Sequence, residues 1–100
     1  MGIDPLPADP DAKLGVSRLA LDGTAPLNGL RHPPEVGTSG WYIWGGEWSD
    51  ADDFFQPLHH AHVLKLIPEV ASYLDLPPGW RFLIAPGHEE VWEDASLLDF

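Results

Sequence analysis

Cysteine is absent from the 100 residues of this chain. Without a thiol there is no disulfide, no thiolate-bound zinc and no cysteine nucleophile. Basic residues are scarce too, since 5 lysines and arginines stand against 16 aspartates and glutamates, for a formal net charge of -11. A surface of that sign repels nucleic-acid phosphates and anionic lipids and attracts basic proteins. The composition therefore favours a protein partner over nucleic acid or membrane, although acidity also serves solubility alone.

Long hydrophobic runs are missing as well. No apolar stretch approaches the roughly 18 residues that span a bilayer. The first residues have neither the basic nor the apolar part of a secretory signal. We therefore expect a soluble cytoplasmic protein. Because 44% of the residues are hydrophobic, the chain is expected to fold as a globular domain despite its charge.

The start of the chain is rich in proline and aspartate, with prolines at positions 5, 7 and 10 and aspartates at 4, 9 and 11. Each proline removes a main-chain donor and restricts the backbone, which disfavours regular structure. We expect residues 1–13 to form an extended, loosely ordered arm. Residues 14–100 are then expected to form one domain of ordinary size.

The periodicity of the remaining chain predicts an α+β fold. Predicted strands occupy residues 14–21, 27–32, 41–44, 80–85 and 89–93, and the first segment could instead hold a helical turn. A helix is predicted over 58–74, with a kink or break at Pro68. Its apolar residues at helical spacing form one stripe: Val63, Leu64, Ile67, Val70, Ala71 and Leu74. We expect about five strands in the order β-β-β-α-β-β, forming a small antiparallel sheet with the helix on one face.

Aromatic residues are concentrated in the segment 37–48, which holds three of the five tryptophans together with Tyr42 and four glycines. In an extended strand, Trp41 and Ile43 point to one face, and Tyr42 and Trp44 point to the other. We expect Trp41 to lie in the core. Trp48 follows two glycines outside the strand, so it is either a lid over the core or an exposed anchor for a partner.

An acidic run at Asp50, Asp52 and Asp53 follows Trp48 directly. It does not continue as a calcium-binding loop, because the required glycine and late glutamate are missing. Either Ser49 and Asp52 form a capping box at the start of a helix or turn, or the acids form an anionic rim beside Trp48. The predicted partner-binding surface consists of Glu47, Trp48, Asp50, Asp52 and Asp53, with Glu89 and Glu90 as a second patch.

Catalytic and metal-binding patterns are weak. Histidines occur at positions 32, 59, 60, 62 and 88, but a metal site needs three or four convergent ligands, and no H-E-x-x-H motif is present. His60 is predicted to point toward the apolar stripe of the helix. The segment 37–40 does not match G-x-S-x-G. We predict no catalytic residue, cofactor or metal, and keep a small metal-dependent enzyme as the least favoured alternative.

The block Ser39-Gly40-Trp41-Tyr42-Ile43-Trp44-Gly45-Gly46-Glu47 resembles the immunity protein 33-like family of small bacterial domains associated with polymorphic toxin systems. The resemblance covers residues 14–98 and also rests on the segments 15–18, 54–58, 67–70 and 76–82. It implies an α+β immunity protein that binds and neutralises a cognate toxin by occlusion. The family supplies no catalytic residues. The competing hypothesis is a stand-alone acidic protein-binding or regulatory domain, and the oligomeric state is not predicted.

Overall fold

Six strands form one mixed sheet in the structure, a computed structural model that describes residues 5–7 and 9–98. In chain order the elements are β1 (Lys13–Ser17), α1 (Arg18–Leu21), β2 (Leu27–Arg31), β3 (Thr38–Gly45), β4 (Phe55–His59), α2 (His60–Leu66), β5 (Trp80–Ala85) and β6 (His88–Glu93). One short 3₁₀ turn lies between α2 and β5, at Pro68–Val70, and another follows β6, at Ala95–Leu98. Across the sheet the strands lie in the order β4-β1-β3-β2-β5-β6.

The α+β class and the main helix are confirmed, but two details of the predicted sheet are wrong. The sheet has six strands among the described residues, and β1 runs parallel to β3 while the other neighbours are antiparallel. The unpredicted strand is β4, in which Leu58 pairs with Leu14 and Pro57 with Gly15. Proline is tolerated there because β4 is an edge strand.

The first predicted strand, 14–21, contains both of the structures that its pattern allowed. It is extended as β1 up to Ser17 and then turns into α1. Ser17 causes this change, because its Oγ accepts hydrogen bonds from the N–H of Ala20 at 3.1 Å and of Gly45 at 3.2 Å. This N-cap satisfies a free donor of α1 and ties the helix to the end of β3.

Proline interrupts the predicted helix as expected. The helix α2 begins at His60, because residues 55–59 are paired in β4, and it ends before Pro68, which opens a 3₁₀ turn. The fixed φ of proline and its missing N–H suit the first position of a new turn. Of the predicted apolar stripe, the structure buries Val63, Ile67, Val70 and Leu74 and leaves Leu64 and Ala71 exposed.

The main core lies on the covered face, the side of the sheet that carries Trp41, Ile43 and Phe82. The predicted facing of Trp41 with Ile43 is confirmed, and both side chains are buried. Trp41 donates its indole N–H to the carbonyl of Leu74 at 2.9 Å, so its burial leaves no unpaired donor. The cluster contains Leu14, Val16, Ala20, Leu27, Trp41, Ile43, Val63, Ile67, Val70, Leu74 and Phe82.

A buried polar network lies beside this core. The guanidinium of Arg31 donates to the carbonyls of Ser39 at 2.9 Å, Leu6 at 2.6 Å and Leu76 at 2.8 Å. Ser39 Oγ and His60 Nε2 form a hydrogen bond of 2.6 Å. Burial, with a smaller contribution from Arg31, lowers the pKa of His60 from 6.5 to about 4, so the imidazole is neutral at pH 7. The predicted position of His60 on the apolar side of the helix is confirmed.

The network also reaches the start of the chain. Leu6 donates its N–H to the carbonyl of Asp75 at 2.8 Å and accepts a hydrogen bond from Arg31 at its own carbonyl. Both main-chain groups of this residue are therefore paired with the domain. Lys13, assigned to the arm by sequence, is the first residue of β1. Residues 1–4 and 8 of the predicted arm lie outside the described residues.

Candidate functional site

Trp48 lies on the open face, the side of the sheet that carries Tyr42, Trp44 and Leu83. Its ring centroid is 5.0 Å from that of Trp44, 5.4 Å from that of Phe55 and 5.9 Å from that of Phe54. The side chain nevertheless remains 52% exposed. Trp48 therefore combines the two alternatives, since one side covers an aromatic cluster and the other side is accessible.

Two glycines direct the chain from β3 to Trp48. A Cβ on Gly45 would lie 2.5 Å from the carbonyl oxygen of Thr24, so only glycine fits this close backbone approach. Gly46 has φ +72°, a conformation that other residues rarely adopt. Its N–H bonds the carbonyl of Pro26 at 2.9 Å. The chain consequently turns sharply at the end of β3 and returns over Trp44.

The indole of Trp48 is also held by a hydrogen bond. Its Nε1–H donates to Asp50 Oδ1 at 2.8 Å. Together with the contacts to Trp44 and Phe55, this bond restricts the ring to one orientation. A large side chain that is ordered before binding loses less conformational entropy in a complex.

The acidic run forms a turn rather than the start of a helix. Ser49 Oγ accepts a hydrogen bond from the N–H of Ala51 at 3.1 Å, and the N–H of Phe54 bonds the carbonyl of Ala51 at 3.0 Å. A capping box with Asp52 is therefore not formed, since Ser49 Oγ bonds Ala51 and the next element is the strand β4. The exposed acids of the Trp48 loop, residues 47–54, are Glu47, Asp50, Asp52 and Asp53.

The second predicted patch is divided between the two faces of the sheet. Glu90 pairs across the strands with Leu83, Leu83 with Asn28, and Asn28 with Trp44. These four residues form one row on the open face, and three strand spacings make that row about 14 Å long. Glu90 is thus on the same face as Trp48. Glu89 lies on the other side, where its carboxylate accepts a hydrogen bond from the Tyr73 hydroxyl.

Another tryptophan on the open face was not singled out by the sequence. Trp92 pairs with Arg81, whose guanidinium carbon lies 5.5 Å from the centre of its ring. Arg81 Nη1 also bonds Asp94 Oδ2 at 3.3 Å. The pKa of Asp94 is lowered, first by its hydrogen bond from Ser96 and then by Arg81. The alternation of β6 could have placed Trp92 on the face of Glu90.

A shallow groove of about 220 Å³ adjoins the aromatic cluster on the side away from β6. It lies where Gly15 is crossed by Tyr42 and Phe55, with Pro57 at its edge. A Cβ on Gly15 would be 2.8 Å from Tyr42 Cδ1, so the missing side chain lets the Tyr42 ring lie over β1 at the wall of the groove. Neither this groove nor the role of Phe55 was predicted, because both depend on the pairing of β4 with β1.

The side chains considered for catalysis or metal binding do not form a site on this surface. Ser39 and His60 are hydrogen-bonded, but each is only 3% exposed, and the bond satisfies two buried polar side chains. Within residues 5–7 and 9–98, no three histidine, aspartate or glutamate side chains are placed to hold a metal ion. The helices in this part of the chain also lack the length and hydrophobicity of a transmembrane span.

Comparison with known proteins links the geometry to a family. A family model described as the Imm33-like domain matches residues 1–94. The match spans all six strands and the Trp48 loop, and it confirms the resemblance found in the segment 39–47. No curated protein and no solved structure is significantly similar to the chain.

Proposed function

The chain belongs to the Imm33-like family, and from that membership we propose that it is an immunity protein that binds a cognate bacterial toxin. Neutralisation occurs by occlusion, because the bound domain covers a surface that the toxin needs. The protein acts in the bacterial cytoplasm and contributes no catalytic residue or cofactor. The observation that carries the binding surface is Trp48, half exposed yet fixed in orientation by Asp50 and by its aromatic neighbours.

Trp48 supplies the central contact in this proposal. Tryptophan is enriched among the residues that dominate binding energy, because a large rigid ring excludes water over a wide area. The rings of Trp44 and Phe55 support Trp48 from below. A partner can therefore press against the indole without displacing it, and the free protein already presents the bound arrangement.

The acids of the Trp48 loop supply the electrostatic part. In the described residues, the ion pairs involve neither Glu47 nor the three aspartates of this loop. Their negative potential is therefore not neutralised locally, and it accelerates the approach of a basic toxin domain. A lysine or arginine of the partner can pair with a carboxylate while lying over the indole of Trp48. Glu90 is a further acid on the open face, and its Oε2 lies 3.2 Å from His88 Nε2.

The test uses the polypeptide encoded by the adjacent reading frame, produced together with this chain. We expect a stable complex and loss of that polypeptide's toxicity. Trp48→Ala should weaken binding about thirtyfold, the equivalent of about 2 kcal/mol. Leu66→Ala is the matched control, because Leu66 is an apolar side chain of similar exposure on α2, at the covered face.

Charge is tested separately. Asp52→Asn with Asp53→Asn should mainly slow association and reduce its dependence on salt. If the triple variant with Trp48→Ala binds as tightly as the native protein, the Trp48 loop is not the binding surface. If the adjacent polypeptide is neither bound nor neutralised, the immunity function itself is wrong and a protein-binding role without a toxin becomes preferable.

A further inference from the structure

The β6 edge is the second feature of the molecule suited to binding. β6 is the last strand of the sheet, and all six of its residues are exposed. In the part of the chain that the structure describes, no strand pairs with its outer side. The opposite edge, β4, differs because Pro57 in its middle has no N–H to offer a further strand.

The register of the hairpin identifies the main-chain groups that face outward. Ala85 and His88 pair across a two-residue turn, so they must form a hydrogen-bonded pair. Hydrogen-bonded and non-hydrogen-bonded pairs then alternate along β5 and β6. The hydrogen bond from the N–H of Asp94 to the carbonyl of Gly79 at 2.6 Å fits this alternation. The N–H and C=O groups of Glu89, Val91 and Glu93 consequently point away from the sheet.

Charge determines what can pair with these groups. β6 carries Glu89, Glu90 and Glu93 within six residues. A second copy of the chain would bring the same carboxylates opposite them, and like charges across a strand pair are destabilising. An extended segment with lysine or arginine would instead be complementary. Since successive residues of an added strand point to both faces, such a segment can reach Glu89 on one face and Glu90 on the other.

We propose that β6 receives an extended basic segment of a partner protein as an additional antiparallel or parallel strand. Main-chain hydrogen bonds to Glu89, Val91 and Glu93 hold the segment, and the glutamates select its charge. Val91 and Trp92 provide apolar contact on the two faces of the edge. The inference rests on the proposed function only in taking the partner to be basic. If no basic peptide binds to β6, the proposal is wrong and the glutamates serve only to prevent edge-to-edge aggregation.

The probe is a short synthetic peptide of alternating Lys and Thr, titrated into the full chain and followed by NMR. We expect binding with slowed amide exchange at Glu89, Val91 and Glu93. A peptide of the same sequence, N-methylated at two adjacent central residues, should bind at least about tenfold more weakly, because both of its edges have a blocked donor. Equal affinity for the two peptides, or changes confined to the Trp48 loop, would overturn the proposal.

Protein variants provide the complementary test. Val91→Pro removes an outward N–H without removing a bond to β5, so the fold should survive and peptide binding should fall about tenfold. Val91→Ala keeps the N–H and should bind nearly as well as the native chain. If Val91→Pro does not fold, the methylated peptide still decides. If Trp48→Ala abolishes toxin neutralisation but Val91→Pro does not, strand addition at β6 is wrong. The proposed function is then still supported.

Discussion

Trp41 and Trp48 lie on opposite faces of the sheet, and both donate their indole N–H to an oxygen. Trp41 is 1% exposed and bonds the carbonyl of Leu74, whereas Trp48 is 52% exposed and bonds the carboxylate of Asp50. In the core, the bond makes burial of the ring possible. On the open face, the same kind of bond fixes a ring that stays accessible. The covered face carries the main core, whereas the open face combines a smaller buried cluster of Leu30, Trp44 and Leu97 with a ring that is presented to solvent.

The two arginines that face the sheet are held in different ways. Arg31 is buried beside the covered face, where three main-chain carbonyls accept its hydrogen bonds. Arg81 is engaged by Asp94 and Trp92. Arg31 is thus withdrawn from the surface, whereas Arg81 stays on the open face beside Trp92, and the ion pairs of the described residues do not involve the exposed acids of the Trp48 loop. The negative potential of the open face is therefore concentrated at the Trp48 loop.

The largest expected effect follows from truncating Trp41. Trp41→Ala should lower the free energy of unfolding by about 3–5 kcal/mol, because it leaves a cavity and removes the partner of the Leu74 carbonyl. Denaturant unfolding measures the change. Trp48→Ala is the matched control and should cost about 1 kcal/mol, since half of that ring is already in water. Equal losses in the two variants would contradict the division between the faces.

The buried network makes stability depend on pH. The pKa of His60 is about 4 in the folded protein, against 6.5 for the ordinary side chain, mainly because of burial. Between these values the unfolded chain binds the additional proton, so stability falls as pH decreases from 6.5 toward 4. The full decrease in the free energy of unfolding from His60 is about 3 kcal/mol. Denaturant unfolding at several pH values should show this decrease.

His62 provides the control for this pH effect, because it lies on the same helix but is exposed. His60→Gln should flatten the profile between pH 6.5 and 5, whereas His62→Gln should leave it unchanged. Parallel profiles for the native protein and His60→Gln would mean that His60 does not account for the pH dependence of stability.

The local sequence pattern was sufficient to predict many of the buried residues on the covered face. The alternation at residues 41–44 placed Trp41 and Ile43 together, and the helical spacing found Val63 and Ile67. These predictions succeeded because each depends on neighbours within one element. Pro68 was likewise a reliable signal, since its effect on a helix is local. This part of the core could therefore be predicted without knowledge of the strand order, but the same helical spacing wrongly included Leu64 and Ala71, which are exposed.

The open face could not be predicted to the same extent, because non-local pairing creates it. β4 contains a proline and resembles the start of a helix, and only its pairing with β1 makes it a strand. That pairing brings Phe55 against Tyr42 and Trp48. The parallel pairing of β1 with β3 had no local signal either. The residues of the Trp48 loop were identified by sequence, but the aromatic support beneath them was not.

A comparison of two glycines tests packing on the two faces directly. A Cβ on Gly29 would lie 2.1 Å from Phe82 Cε2 on the covered face, and one on Gly15 would lie 2.8 Å from Tyr42 Cδ1 on the open face. Phe82 is fully buried and cannot move aside, whereas Tyr42 is partly exposed. Gly29→Ala should cost about 1–3 kcal/mol, and Gly15→Ala should cost less. The reverse order in denaturant unfolding would show that the open face is the more rigid.

The smallest effect on stability, and the most specific test of the open face, is expected from Asp50. Asp50→Ala removes the exposed bond to Trp48 Nε1 and should change the free energy of unfolding by less than about 1 kcal/mol. Its consequence lies in mobility, because the ring then loses one of the contacts that fix it. The ¹⁵N relaxation of the indole should report faster local motion. Asp52→Ala removes the same charge, but no hydrogen bond to the ring, and should leave the indole ordered.

Partner affinity then distinguishes orientation from charge. If Trp48 binds as a fixed anchor, Asp50→Ala should weaken the complex more than Asp52→Ala does, although both lower the negative charge equally. The additional loss reflects the entropy of ordering a mobile ring on binding. If the two variants weaken binding to the same extent, only the potential of the loop matters, and the hydrogen bond at Trp48 has no part in recognition.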